Sequence, residues 1–168
     1  MNYQQTLGWL YNLRLSPANF SQERLHKLKE ILKLTGSPEK KLKCIHITGS
    51  KGKGSVASML SYILTEAGYK VGLYTSPHIH DFRERIKVNN QNLPKEKFFQ
   101  LIEQFKTHMH KANFQLSFFE LTTTMAFKHF LDENVDIAIV EVGLGGRLDA
   151  TNIIENPLIC IITNIELE

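Results

Sequence analysis

The strongest chemical signal in the chain is Ile47-Thr48-Gly49-Ser50-Lys51-Gly52-Lys53-Gly54-Ser55-Val56. Three glycines let a backbone turn tightly and aim its N–H groups inward, and a helix starting behind them adds partial positive charge. Lys53 can reach outer phosphates, and the Ser55 hydroxyl can touch a metal ion or a phosphate oxygen. The chemistry implied is phosphate binding. The spacing is not the standard G-x-x-x-x-G-K-[ST], since only Ser50 and Lys51 separate Gly49 from Gly52-Lys53 and Gly54 intrudes before Ser55. A glycine-rich turn with incidental lysines is the alternative.

A second candidate is Glu141 at the far end of Asp136-Ile-Ala-Ile-Val-Glu-Val142, followed by Gly143-Leu-Gly145-Gly146-Arg147-Leu-Asp149-Ala-Thr151-Asn152. This is not a dinucleotide fingerprint, because Leu148 stands where the third glycine belongs. A carboxylate closing a buried strand is costly unless it meets a cation. Mg²⁺ shared with a hydroxyl and phosphate oxygens is one partner; a nearby lysine or arginine is the other.

The elements that position these residues follow from hydrophobic periodicity. Leu7, Leu10, Tyr11 and Leu15 predict a helix from Tyr3, stopped at Ser16-Pro17. Ser21 caps a second helix with Leu25, Leu28, Ile31, Leu32 and Leu34 inward, closed by Gly36-Ser37-Pro38. Cys44–Thr48 reads as a strand, and Ser55–Ala67 as a helix burying Val56, Met59, Leu60, Ile63 and Leu64. Val71–Tyr74 is a short strand and Thr75–Asn92 a polar loop. Pro94 opens a helix with Phe98, Leu101, Ile102, Phe105 and Met109 inward, and Phe119–Leu131 is a helix apolar on several sides. Asp136–Val142 and Leu158–Ile162 are apolar runs of the kind buried on both faces of a parallel sheet. Strands alternating with helices predict an α/β fold: a doubly wound, mostly parallel sheet with helices on both faces. Ligands then gather outside the carboxyl ends of the strands, the edge that holds both Gly49–Ser55 and Glu141.

Length and composition bound the rest. At 168 residues with 42% apolar content the chain suits one domain of about 150 residues. Charged residues at 22% beside that core exclude disorder, and no apolar run long enough for a membrane span occurs. A net charge of +3 is weak steering, and no aromatic motif accompanies Lys40, Lys41 and Lys43, so nucleic acid is not an expected partner. The start of the chain lacks a secretory pattern, and Cys44 and Cys160 both lie in apolar runs. Buried thiols in a cytoplasmic protein are expected. His78-x-His80-Asp81 lacks a second ligand pair and reads as a loop, and Arg83-Glu84-Arg85 as a solvated charge cluster or a substrate-loop element.

Taken together, Thr48–Ser55, Tyr74-Thr-Ser-Pro-His78, Phe119-Glu120 and Glu141–Asn152 resemble the folylpolyglutamate synthase/dihydrofolate synthase family of the Mur-ligase superfamily. The resemblance runs over nearly the whole chain in the family's order, and that superfamily's shortened phosphate loop accounts for the spacing above. It implies a P-loop fold of the Mur-ligase central-domain type and ATP-dependent joining of L-glutamate to a folate, to dihydropteroate, or to both. The route implied is an acyl phosphate, attacked by the amine of glutamate. Position by position, the resemblance implies that Gly49, Ser50, Lys51, Gly52, Lys53, Gly54 and Ser55 bind ATP, with Lys53 and Glu141 central to catalysis. Ser76 and Glu141 would hold Mg²⁺. Ser117, Phe118, Phe119 and Glu120, with Leu148, Asp149 and Ala150, would line the pterin-bearing substrate. An aromatic ring can stack on a pterin, and a carboxylate can accept its N–H donors. A cytoplasmic monomer is expected.

Members of that family are more than twice this long, with a C-terminal domain that binds nucleotide and glutamate. Residues 1–168 are therefore expected to be the N-terminal ATP-binding domain, truncated, with the C-terminal glutamate-ligase domain absent from this chain. Ile162–Leu167 matches the start of a family motif whose following histidine, a third Mg²⁺ ligand, is not in the sequence. The isolated chain is expected to bind ATP weakly and not to complete ligation. A non-catalytic nucleotide-binding module is the alternative function.

Overall fold

The computed structural model describes residues 2–13 and 21–166. Six strands form one sheet in the order β4-β3-β2-β5-β1-β6, where β1 is Cys44–Thr48, β2 Val71–Tyr74, β3 Ile86–Val88, β4 Gln91–Asn92, β5 Ile137–Glu141 and β6 Ile159–Ile162. The strands β2, β5, β1 and β6 are parallel, and β3 and β4 add an antiparallel hairpin at the β2 edge.

Alternation along the strands sorts side chains onto two faces. Ile45, Ile47, Val71, Leu73 and Ile139 meet α4 (Lys53–Glu66) on one face. Cys44, Tyr74, Ala138 and Val140 meet a larger core on the other. That core is closed by α1 (Tyr3–Asn12), α2 (Gln22–Lys33), α5 (Lys95–Ala112) and α6 (Phe118–Asp132). A short helix, α3 (Pro38–Lys41), leads into β1. The doubly wound, mostly parallel α/β fold expected from the sequence is the fold found. Leu15 and the Ser16-Pro17 stop lie outside the described residues.

Several local expectations are corrected. The helix α4 turns Ala57 and Ser61, not the large residues, squarely onto the sheet. Small side chains let the helix lie close, so Val56, Leu60 and Leu64 are half-buried flanks, while Met59 and Ile63 are exposed. Leu34 is the exposed C-cap of α2, one residue past the buried stripe. The strand β6 is not buried on both faces: it is an edge strand with β1 its described neighbour, and Ile159, Cys160 and Ile162 are exposed. Of the two free thiols only Cys44 is buried, and burial pushes it up to about 12.

Residues 75–92 are not one loop. Asp81 and Glu84 form a capping box around a 3₁₀ turn at Phe82–Arg85, and Asn89-Asn90, both at positive φ, turn the β3–β4 hairpin. The Ser61 hydroxyl donates to Asn90 Oδ1 at 2.9 Å and ties that hairpin to α4. No helix among the described residues is long and apolar enough to cross a membrane.

His129 on α6 is buried, its Nδ1 without a hydrogen-bond partner among the described residues. Burial lowers its pKa from 6.5 to about 4. The unfolded chain therefore binds a proton that the folded chain refuses between those values, so stability is full above pH 6.5 and falls toward pH 4. A shift of that size corresponds to about 3 kcal/mol. The unfolding midpoint is expected to drop across this window, and His129→Leu to flatten the drop; an unchanged slope would contradict the assignment.

Candidate functional site

The loop Gly49–Gly52 joins the carboxyl end of β1 to the N-terminus of α4, and Glu141 closes the neighbouring strand β5. Parallel register brings the two together: Ile47 lies opposite Glu141, and Val142 N–H donates to the Ile47 carbonyl at 2.9 Å. The Glu141 carboxylate is buried and faces the start of α4, where a Cβ on Gly54 would come 3.5 Å from its Oε1. Its Oε2 accepts the Ser76 N–H at 2.8 Å. Burial raises the Glu141 pKa, while the Ser76 N–H, Lys53 and Arg85 draw it back. Among the described residues no three His, Cys, Asp or Glu side chains gather, so a cation at Glu141 would take its other ligands from hydroxyls, water or phosphate. A buried oxygen donor beside a helix N-terminus suits Mg²⁺ in that setting.

A cavity of about 440 Å³ opens beside this pair. Its lining includes Lys53, Ser76 and Glu141, the segment Ser117, Phe118, Phe119 and Glu120, and the segment Leu148, Asp149 and Ala150. Three groups far apart in sequence thus share one space. The remaining loop residues do not line it: Gly54 and Ser55 face a shallow groove with Met59 and Tyr62 instead.

The Leu148–Ala150 segment is held by a polar relay. Asp149 accepts the Thr151 N–H at 2.9 Å, the Thr151 hydroxyl at 2.6 Å and the Leu144 N–H at 2.9 Å. Because the Thr151 hydroxyl donates to Asp149, it accepts from His46 Nε2, 2.8 Å away. Three acceptor positions of a carboxylate with about four are used, which leaves one unused. Glu120 is similarly committed: it takes the Ser117 N–H at 2.7 Å in a capping box and a bidentate pair from Arg24. Phe119 packs over Gly143, where a Cβ would fall 2.3 Å from the ring. Gly143→Ala is expected to expel the ring from the wall at about 1–3 kcal/mol, the range for overpacking, read by thermal unfolding. An unshifted midpoint would show that the ring yields freely.

Two charged cavity residues are not among the predicted site residues, although Arg83-Glu84-Arg85 reads in the sequence as a solvated charge cluster or a substrate-loop element. Arg85 is buried rather than solvated; its Nε donates to His78 Nδ1 at 2.7 Å and its guanidinium lies 5.2 Å from the Phe118 ring centre. The signal for it was the Asp81-x-x-Glu84 capping pattern, which turns the chain inward at Arg85. Arg24 carried no local signal, because its partner Glu120 lies 96 residues away.

No protein-family model matches the chain. The dihydrofolate synthase/folylpolyglutamate synthase of Bacillus subtilis is 39% identical over 168 residues, covering 97% of this chain and 38% of that protein. The crystal structure of folylpolyglutamate synthase from Thermotoga maritima is 41% identical, with a TM-score of 0.87 over 98% of this chain and 38% of its own. The chain belongs to the folylpolyglutamate/dihydrofolate synthase family. A folylpolyglutamate synthase in complex with AMPPCP and folate superposes with a TM-score of 0.90 at 32% identity, over 100% of this chain and 41% of that one. The chain thus spans about two fifths of these folylpolyglutamate/dihydrofolate synthases.

Proposed function

We propose that residues 1–168 form the N-terminal ATP-binding domain of an ATP-dependent ligase that joins L-glutamate to a folate, to dihydropteroate, or to both. The observation that carries the reading is one cavity lined by Lys53, Ser76 and Glu141 together with Phe118, Phe119 and Leu148–Ala150. A phosphate-binding group and aromatic rings around one cavity are what transfer of a phosphoryl group to a pterin-bearing carboxylate requires. The relative solved with AMPPCP and folate supports the same pairing.

In this reading Gly49–Ser55 is the phosphate loop, and the start of α4 offers its N–H groups and partial positive charge to the nucleotide. Lys53 neutralises charge that builds on the transferred phosphoryl oxygens. Ser76 and Glu141 would hold Mg²⁺, which supplies further charge neutralisation when bound. Phe119 offers a ring face, and the free acceptor positions on Asp149 and Glu120 take N–H donors of the pterin. With both substrates held, the carboxylate takes the γ-phosphoryl group as an acyl phosphate. The amine of glutamate then displaces phosphate, most of the rate coming from positioning. Glutamate would be held by the C-terminal ligase domain. The reading includes a monomer in the cytoplasm, which two free thiols suit.

Calorimetry of the chain with Mg·AMPPCP and with folate tests this. Both are expected to bind, and saturation with one is expected to leave the other's binding intact. Mutual displacement, or no binding of folate, would overturn the shared-cavity arrangement.

A further inference from the structure

After β6 the chain crosses back over the phosphate loop. The Ser50 N–H donates to the Asn164 carbonyl at 2.7 Å, and the Lys51 N–H to Asn164 Oδ1 at 3.0 Å. Thr163 closes the other side: its N–H donates to the Thr48 carbonyl at 2.9 Å and its hydroxyl to the Lys51 carbonyl at 2.7 Å. The approach is so close that a Cβ on Gly49, at φ 138°, would fall 2.0 Å from Thr163 Oγ1. The Lys51 ammonium turns away to Glu166 at 2.6 Å, whereas Lys53 Nζ reaches the Gly49 carbonyl at 2.6 Å.

The loop is therefore divided. The N–H groups of Ser50 and Lys51 are already used inside the protein. Those of Lys53, Gly54 and Ser55, in the first turn of α4, have no acceptor within their helix. We infer that Thr163 and Asn164 are positioning residues, which fix Gly49–Lys51 as an anchor so that the donors offered to a phosphate are those from Gly52 to Ser55. The inference rests on the nucleotide reading above and narrows it: the phosphate contacts belong to the second half of the loop. A loop held in its binding shape before the ligand arrives loses less freedom on binding, which is where the affinity comes from.

The test is a titration of the ¹⁵N-labelled chain with Mg·AMPPCP, followed amide by amide. The resonances of Lys53–Ser55 are expected to move, while those of Ser50 and Lys51 stay in place and remain protected from hydrogen exchange. Combining Thr163→Val with Asn164→Ala is expected to speed exchange at Lys51 and weaken binding about tenfold, the value of two modest hydrogen bonds. Thr163→Ser, which keeps the hydroxyl, is expected to bind as the unsubstituted chain does. A purely structural role would lower the unfolding temperature and leave the dissociation constant of the folded variant unchanged, and that result would overturn the inference. So would Ser50 and Lys51 amides moving as far as those of Lys53–Ser55 in the unsubstituted chain, a readout that needs no variant to fold. Absence of any AMPPCP-dependent shift at millimolar concentration would instead remove the nucleotide reading, and the inference with it.

Discussion

Lys53→Ala is expected to weaken binding of Mg·AMPPCP by about 30-fold or more. Truncating one partner of a half-desolvated, charge-assisted contact costs about 2–5 kcal/mol, and each 1.4 kcal/mol is tenfold. Lys53 is placed for this by its position at the first residue of α4 and on the cavity wall shared with Glu141. Its present hydrogen bond to the Gly49 carbonyl adds little to folding, about 1 kcal/mol, so the variant should keep its fold. Arginine should not rescue, because a planar fork is wider than the compact ammonium that the Gly49 and Ser50 carbonyls receive. Calorimetry beside a thermal melt separates the effects, and unchanged affinity in a folded Lys53→Ala protein would remove Lys53 from the site.

The second large effect is on stability. Glu120→Ala should destabilise the domain by about 3 kcal/mol, the lower end for breaking a buried ion pair. The variant leaves the Arg24 guanidinium, 23% exposed, with the Gln115 carbonyl at 3.2 Å and the Phe114 ring at 4.8 Å. It also removes the carboxylate half of the α6 capping box, which takes the Ser117 N–H. Replacing both partners together, Arg24→Met with Glu120→Leu, should recover much of the loss, because no unpaired charge remains. A double-mutant cycle in urea unfolding measures the coupling. Additive losses would mean that the pair is a surface decoration, and Glu120 would then be free to serve a substrate alone.

How far the sequence could be read depends on whether the deciding interaction is local. The strand–loop–helix around Gly49–Ser55 is set by residues that lie side by side in the chain, and it was legible, as were α2, with Ser21 capping it, and the buried stripe of α5. The gathering of Ser76, Ser117–Glu120 and Leu148–Ala150 with Glu141 was legible only through the family resemblance, because no periodicity reports which loops meet at a sheet edge. The hairpin at Asn89-Asn90 was missed although its turn chemistry is local; the strands are only three and two residues long, too short to show alternation. On α4 the spacing of Met59 and Ile63 fits a helix but does not say which face a sheet will take, and Ala57 and Ser61 won on closeness of approach. Burial of β6 was overestimated because apolar content does not distinguish a central strand from an edge strand. Arg24 and the relay His46–Thr151–Asp149 join residues about 100 positions apart, beyond the reach of any local pattern.

The central claim is that the Glu141 carboxylate and the Lys53 loop form one cation-assisted nucleotide site. The direct measurement is the dissociation constant of AMPPCP with and without Mg²⁺, for the unsubstituted chain and for Glu141→Gln, which keeps size and an acceptor but loses the charge. The expected result is binding that tightens when Mg²⁺ is added to the unsubstituted chain, with that gain lost in Glu141→Gln while the Mg²⁺-free constant stays the same or improves. An equal Mg²⁺ effect in both proteins would contradict the account, because the cation would then be held without Glu141.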